Sequence, residues 1–247
     1  MCLLLLAHDV VPGRPLVWLA NRDEFHPRPS AAAAPWGDAP GVVGGRDLEA
    51  GGSWLALHTS GRFAAVTNIR MAEPRRGPRS RGDLVRDFVA GGMTAKDYIA
   101  ELALRVEEFA PFNLVVADTA SAWCLESPRA RASELTTGVH VISNGPLDAP
   151  WPKMERIRAL FETAVQTGDD DAALLDLLAD DYQPPDAVLP DTGVGIALER
   201  FLGSIFIRGE RYGTRASTLA WRNGDGTTGL RERSYGPEGV LIGEVAL

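Results

Sequence analysis

Four short apolar runs constrain this chain more than any other feature. Residues 2–8, 16–21, 53–59 and 62–68 read CLLLLAH, LVWLAN, SWLALHT and RFAAVTN. They are short for helices and show no polar alternation, which is the pattern of strands covered on both faces. The first two form a hairpin through DVVPGRP and the second two a hairpin turning at Ser60-Gly61. Two helical patterns follow, at 82–91 and 94–110, the second opened by Thr94 as N-cap. Strands are expected at 112–117, 121–126 and 139–143. A second helical pair is expected at 150–166 and 169–182, with Pro152 in the first turn and Met154, Ile157, Leu160 and Phe161 on one face. The C-terminal part reads as strands at 203–207, 214–222 and 238–246, and residues 25–41 as a Pro- and Ala-rich loop. Doubly covered strands with helices arriving in pairs imply an α+β fold, a four-layer αββα sandwich, built as one domain over 1–247.

At 247 residues and 45% hydrophobic content the chain can bury one large core. Its net charge of -8 argues against nucleic acid as a partner. The start, MCLLLLAHDV, has no basic n-region, and His8 and Asp9 interrupt its apolar run, so a signal peptide is not expected. No stretch reaches the roughly 18 apolar residues of a membrane span. Two cysteines, Cys2 and Cys124, give neither a disulfide framework nor zinc spacing. The expectation is a cytoplasmic protein with no membrane span. Oligomeric state is not legible.

Chemistry concentrates at strand ends. Removal of Met1 would make Cys2 an N-terminal residue that carries nucleophile and base together. Its amine, with a reference pKa of about 7.7–8.0, can take the thiol proton near neutrality. If strand 16–21 pairs with strand 2–8, the segment Asn21, Arg22, Asp23, Glu24 comes to lie at that same end. A guanidinium there favours thiolate, and a carboxylate holds the protonated amine. Alternation puts Arg22 and Glu24 on one face and Asn21 and Asp23 on the other, which leaves open whether Asp23 or Glu24 serves the amine. Asn68 and Asn144 are uncharged amides at strand ends, suited to an oxyanion, although such residues also serve simply as turn formers. The shared polar endings predict that the hairpins 2–8/16–21 and 53–59/62–68 lie in one sheet, with Asn68 in reach of Cys2.

The stretches CLLLLAHD, LANRDEFHPRPS, GGSWLALHTSGRFAAVTN, VISNGP and YGTRAST resemble the NRDE, or Transport and Golgi organisation, family over nearly the whole chain. The same landmarks in the same order are similar to N-terminal-nucleophile cysteine hydrolases of the penicillin V acylase and bile salt hydrolase kind, whose fold is αββα. That resemblance implies Cys2 as nucleophile, Asn68 and Asn144 at the oxyanion hole and Arg215 near the thiol. In those hydrolases the arginine–acid motif reads Gly-Arg-Asn-x-Asp, whereas residues 20–24 here read Ala-Asn-Arg-Asp-Glu, so the match of Arg22 and of Asp23 or Glu24 is shifted.

Two functions follow as expectations. One is hydrolysis of an amide or related acyl bond through Cys2, which needs no cofactor. The other, also implied by the resemblance, is a non-catalytic carrier of haem or of acyl-CoA or lipid. Either way the partner is a small amide, acyl or haem ligand. The remaining signals read as structural. His8, His26, His58 and His140 lack ligand spacing, Cys124 belongs to a core strand, and TGVG at 192–195 is too short for a nucleotide loop. Arg75, Arg76, Arg79 and Arg81 read as a solvated loop, with a grip on a phosphate or carboxylate as the alternative.

Overall fold

The computed structural model describes residues 3–73 and 75–247. Its strands and helices run β1 (Leu3–Val11), β2 (Arg14–Phe25), β3 (Ser30–Pro35), β4 (Val42–Asp47), β5 (Leu55–His58), β6 (Arg62–Asn68), α1 (Arg81–Ala90) and α2 (Ala95–Ala103). They continue with β7 (Phe112–Ala117), β8 (Ala122–Glu126), β9 (Arg131–Glu134), β10 (Gly138–Ile142), α3 (Pro152–Thr167), α4 (Asp171–Asp176), α5 (Ile196–Phe201), β11 (Tyr212–Arg222), β12 (Thr228–Tyr235) and β13 (Leu241–Ala246). One sheet has the order β10-β1-β2-β11-β12-β13 and the other β3-β4-β5-β6-β7-β8-β9.

Three apolar layers explain why the strands lack alternation. Leu4, Leu6, Trp18 and Ala20 of the first sheet meet Leu55, Leu57, Phe63 and Val115 of the second, and Trp18 stacks on Phe63 with centroids 5.7 Å apart. The other face of the first sheet, through Leu3, Leu5, Val17 and Leu19, packs on Met154, Ile157 and Phe161 of α3 and Leu174 and Leu175 of α4. The other face of the second sheet, through Ala64, Val66, Leu114 and Val116, packs on Leu84 and Phe88 of α1 and Ile99 and Leu102 of α2. Each central strand is therefore buried on both faces, and the architecture is the four-layer αββα sandwich expected.

Several expectations are corrected. The hairpins β1/β2 and β5/β6 lie in different, facing sheets, because each joins a different set of later strands. The Pro- and Ala-rich segment holds β3, whose pairing with β4 closes the edge of the second sheet. The second helix stops at Ala103, where Leu104 and Arg105 close the turn onto Glu101 and Leu102 carbonyls. Residues 203–207 form no strand; Ile205, Phe206 and Ile207 are buried in an irregular segment tied to Asp180 and Thr214. Among the described residues, no helix is long and apolar enough to cross a membrane.

Candidate functional site

The end of the sandwich where β1 begins gathers the polar strand ends. Leu3 stands opposite Asn21, and Asn21 opposite Ser217 on the other side of β2. Ile142 stands opposite Leu4, so the chain leaving β10 towards Asn144 passes the start of β1. Cys2 itself lies outside the described residues.

Pleating divides Asn21 to Glu24 between two faces. Asn21 is fully buried against the helical layer, where its Nδ2 donates to the Leu178 and Ile205 carbonyls at 2.8 Å each and its Oδ1 accepts from Ser217 Oγ at 2.6 Å. Asp23, on the same side, accepts from Thr214 Oγ1 at 2.6 Å, and that hydroxyl accepts from Ile207 N. These two side chains tie the segments around 178 and 205 to the sheet. Arg22 and Glu24 point the other way and line one cleft of about 390 Å³ with Asp47, Trp54 and Asn68. Of the two acids, Glu24 thus shares the face of Arg22.

Arg22 is only 3% exposed. Its guanidinium lies 4.3 Å over the Trp54 ring and its Nη2 is 3.8 Å from Asp47, while Nη1 has no hydrogen-bond partner among the described residues. Burial pulls its pKa down, partly opposed by Glu24 and Asp47. Arg215 occupies a bulge, where the β11 register shifts between Thr214 and Ala216. Its Nη1 donates to the Phe25 and Arg28 carbonyls. It lines an adjoining cavity of about 250 Å³ with Arg22, Trp54 and the buried Glu232. Arg22 and Trp54 form the wall between the two spaces. Arg215 therefore meets Arg22 but lines neither of the spaces that Asn68 lines.

The two asparagines converge. Asn144 Nδ2 donates to the Asn68 carbonyl at 2.8 Å, and Arg70 N donates back to the Asn144 carbonyl at 2.8 Å. Neighbouring bonds cross between the sheets. Thr67 Oγ1 donates to the Ser143 carbonyl at 2.6 Å, and Asn113 Nδ2 to the Gly145 carbonyl at 2.9 Å. Gly145 is required by close approach, since a Cβ there would stand 2.4 Å from the Trp151 ring. Asn68 and Asn144 both border a groove of about 280 Å³ whose walls include Ile69, Met71, Leu198 and Leu202. The groove meets the arginine cleft at Asn68, Arg75 and Arg81.

Other contributors were not picked out from sequence. Asn113 had a visible signal, an amide interrupting the apolar FNLVVA strand. Arg70 and Glu199 form an ion pair exposed only 7% and 2%, and Glu199 also accepts from Thr192 N at 2.8 Å. The pair anchors α5 over the groove, a contact between segments 129 residues apart that no local pattern announces. Arg75, Arg76, Arg79 and Arg81 all line the cleft, Arg75 and Arg76 as exposed side chains.

The fold has counterparts elsewhere. The chain superposes on a conjugated bile acid hydrolase from Clostridium perfringens with a TM-score of 0.57 at 10% identity, covering 100% of this chain and 92% of that one. It superposes on a Caenorhabditis elegans ortholog of N-acylethanolamine-hydrolyzing acid amidase with a TM-score of 0.55 at 12% identity, covering 88% and 92%. At such identities the likeness shows the fold, that of the N-terminal-nucleophile hydrolases. In sequence, the chain is 33% identical to the Transport and Golgi organization protein 2 homolog of Bos taurus and 32% to that of Homo sapiens, each alignment covering 95% of this chain and 93% of the relative. The model of the family described as Transport and Golgi organisation 2 matches residues 1–237. The chain belongs to the Transport and Golgi organisation 2 family.

Proposed function

We propose that the protein is an N-terminal-nucleophile cysteine hydrolase acting on an amide or related acyl bond through Cys2. The observation that carries this reading is the 2.8 Å bond from the Asn144 side chain to the Asn68 main-chain carbonyl, which brings the two residues whose amides suit an oxyanion together beside the start of β1. After loss of Met1, the Cys2 amine takes the thiol proton and the thiolate attacks the carbonyl carbon. The oxyanion forms against the two asparagines. The ammonium then returns the proton to the leaving nitrogen as the C–N bond breaks, which leaves a thioester. Water, deprotonated by the same amine, cleaves the thioester and restores the thiol. Glu24, which shares the cleft face with Arg22, is assigned to the ammonium, and Arg22 to favouring the thiolate. Arg215, which lines the adjoining cavity with Arg22, tunes the thiolate or orients the substrate.

A second reading, a non-catalytic carrier, is favoured by one feature, the apolar walls of the groove that Asn68 and Asn144 border. There a haem or acyl ligand would be held, with Cys2 supplying a thiolate to the haem iron or a simple contact. Cys2→Ser in protein lacking Met1 separates the two. The hydrolase reading expects amide turnover to collapse with ligand binding nearly intact, because sulfur and oxygen differ little in size but greatly in ionisation near pH 7. Weakened haem binding with a shifted absorption spectrum, and no turnover in the parent protein, would favour the carrier.

A further inference from the structure

The cleft beside α1 is strongly cationic. The chain is acidic overall, yet Arg22, Arg28, Arg75, Arg76, Arg79 and Arg81 line this one space against only Glu24 and Asp47. Some of these charges are spoken for. Arg79 pairs with Asp87 at 2.9 Å and Glu108 at 3.4 Å, and Arg28 with Asp47 at 2.8 Å and Glu49 at 3.1 Å. Arg75 and Arg76, by contrast, are exposed and make no ion pair among the described residues. Arg22 is buried with Nη1 lacking an acceptor among the described residues. A buried donor without an acceptor is costly, and an arriving anion would relieve it.

We propose that this cleft is a subsite for a multiply charged anion of the phosphate class, held by Arg22, Arg75 and Arg76 at the N-terminus of α1. Ser80, its N-cap, and Arg81 and Gly82, the first residues of that 10-residue helix, form part of the lining. The helix is fixed there by the Ser80 cap on Gly82 N at 3.1 Å and by Ser53 N donating to the Gly82 carbonyl at 3.2 Å. Its positive end adds to the arginines. A monovalent carboxylate is satisfied by one forked guanidinium. Donors converging from β2, the 75–76 loop and α1 match an anion with several oxygens and more than one charge. The subsite shares Arg22 with the chemistry proposed for Cys2, but it is read by anion binding through Arg75 and Arg76, so its failure and the failure of that reading are distinguishable.

The test is calorimetric titration of the full chain with inorganic pyrophosphate at low ionic strength. Arg75→Ala/Arg76→Ala, which removes only exposed side chains, is expected to weaken binding at least about tenfold, and Arg131→Ala on β9 to leave it unchanged. Acetate should bind at least about tenfold more weakly than pyrophosphate. Tighter binding of octyl phosphate than of inorganic phosphate assigns the anion to the head of an apolar ligand reaching past Asn68 into the groove. Equal affinities assign a small soluble phosphate. Absent pyrophosphate binding, binding indifferent to the double substitution, or equal affinity for acetate overturns the proposal.

Discussion

Arg22 and Asp23 are adjacent in sequence yet end on opposite faces of one sheet, and their fates differ accordingly. Asp23 is absorbed in holding the 205–207 segment through Thr214, whereas Arg22 divides two cavities. The same logic of position governs Asn144, whose Nδ2 bonds the Asn68 carbonyl and whose own carbonyl receives Arg70 N. Asn144→Ala removes the first bond and the 3.4 Å bond from Arg70 Nη2 to Asn144 Oδ1 and keeps the second, so stability should fall by about 1 kcal/mol, read as a shift of the denaturant midpoint. On any amide the protein accepts, turnover should fall roughly 10²–10³-fold, the loss typical of one oxyanion donor. Unchanged turnover would confine Asn144 to a structural bond.

At the scale of elements, what was legible in the sequence followed local chemistry. The runs of β1, β2, β5 and β6 are apolar throughout because each packs on two layers. Thr94 signalled α2 because its side chain accepts from Asp97 N at 3.1 Å. β12 was hidden because TGLRERSY alternates charge at a sheet margin, and β3 because its alanines and final proline read as loop. Sheet membership was not legible at all. β5/β6 and β1/β2 share polar endings, but the bonds that bring those ends together run between sheets, from Thr67 and Asn113 to the chain after β10. That same stretch carries a pH dependence. His140 on β10 lies 3.0 Å from Asp148, accompanied by Arg158 and the Thr136 carbonyl, and the Asp148 hydrogen bond raises its pKa above 6.5. A raised folded-state value means stabilisation fully present below about pH 6.5 and lost as pH rises through the folded value. Asp148, held low mainly by its bonds to His140, Val141 and Arg158 against the opposing effect of burial, stays ionised across that window. Thermal melts should therefore show His140→Asn destabilising the protein more at pH 5.5 than at pH 8.5. An equal loss at both pH values would remove the ion pair from the explanation.

For the molecule as a whole, two facing sheets place the ends of β1, β2, β6 and β10 around one rim, where an arginine cleft and an apolar groove meet at Asn68. The family is shared with the relatives, and the fold with the acid amidase ortholog and the conjugated bile acid hydrolase. What the proposed function adds is a reactive amino-terminal thiol at that rim. The chain supplies its own control, since Cys124 is fully buried in the central core and desolvation raises its thiol pKa far above neutrality. Native protein treated with a thiol-selective alkylating agent at pH 7 and analysed by intact and peptide mass spectrometry should lack Met1 and carry a single adduct, on Cys2. The adduct should form faster than on free cysteine and vanish in Cys2→Ser. A retained Met1, or a Cys2 no more reactive than an ordinary exposed thiol, would contradict the account.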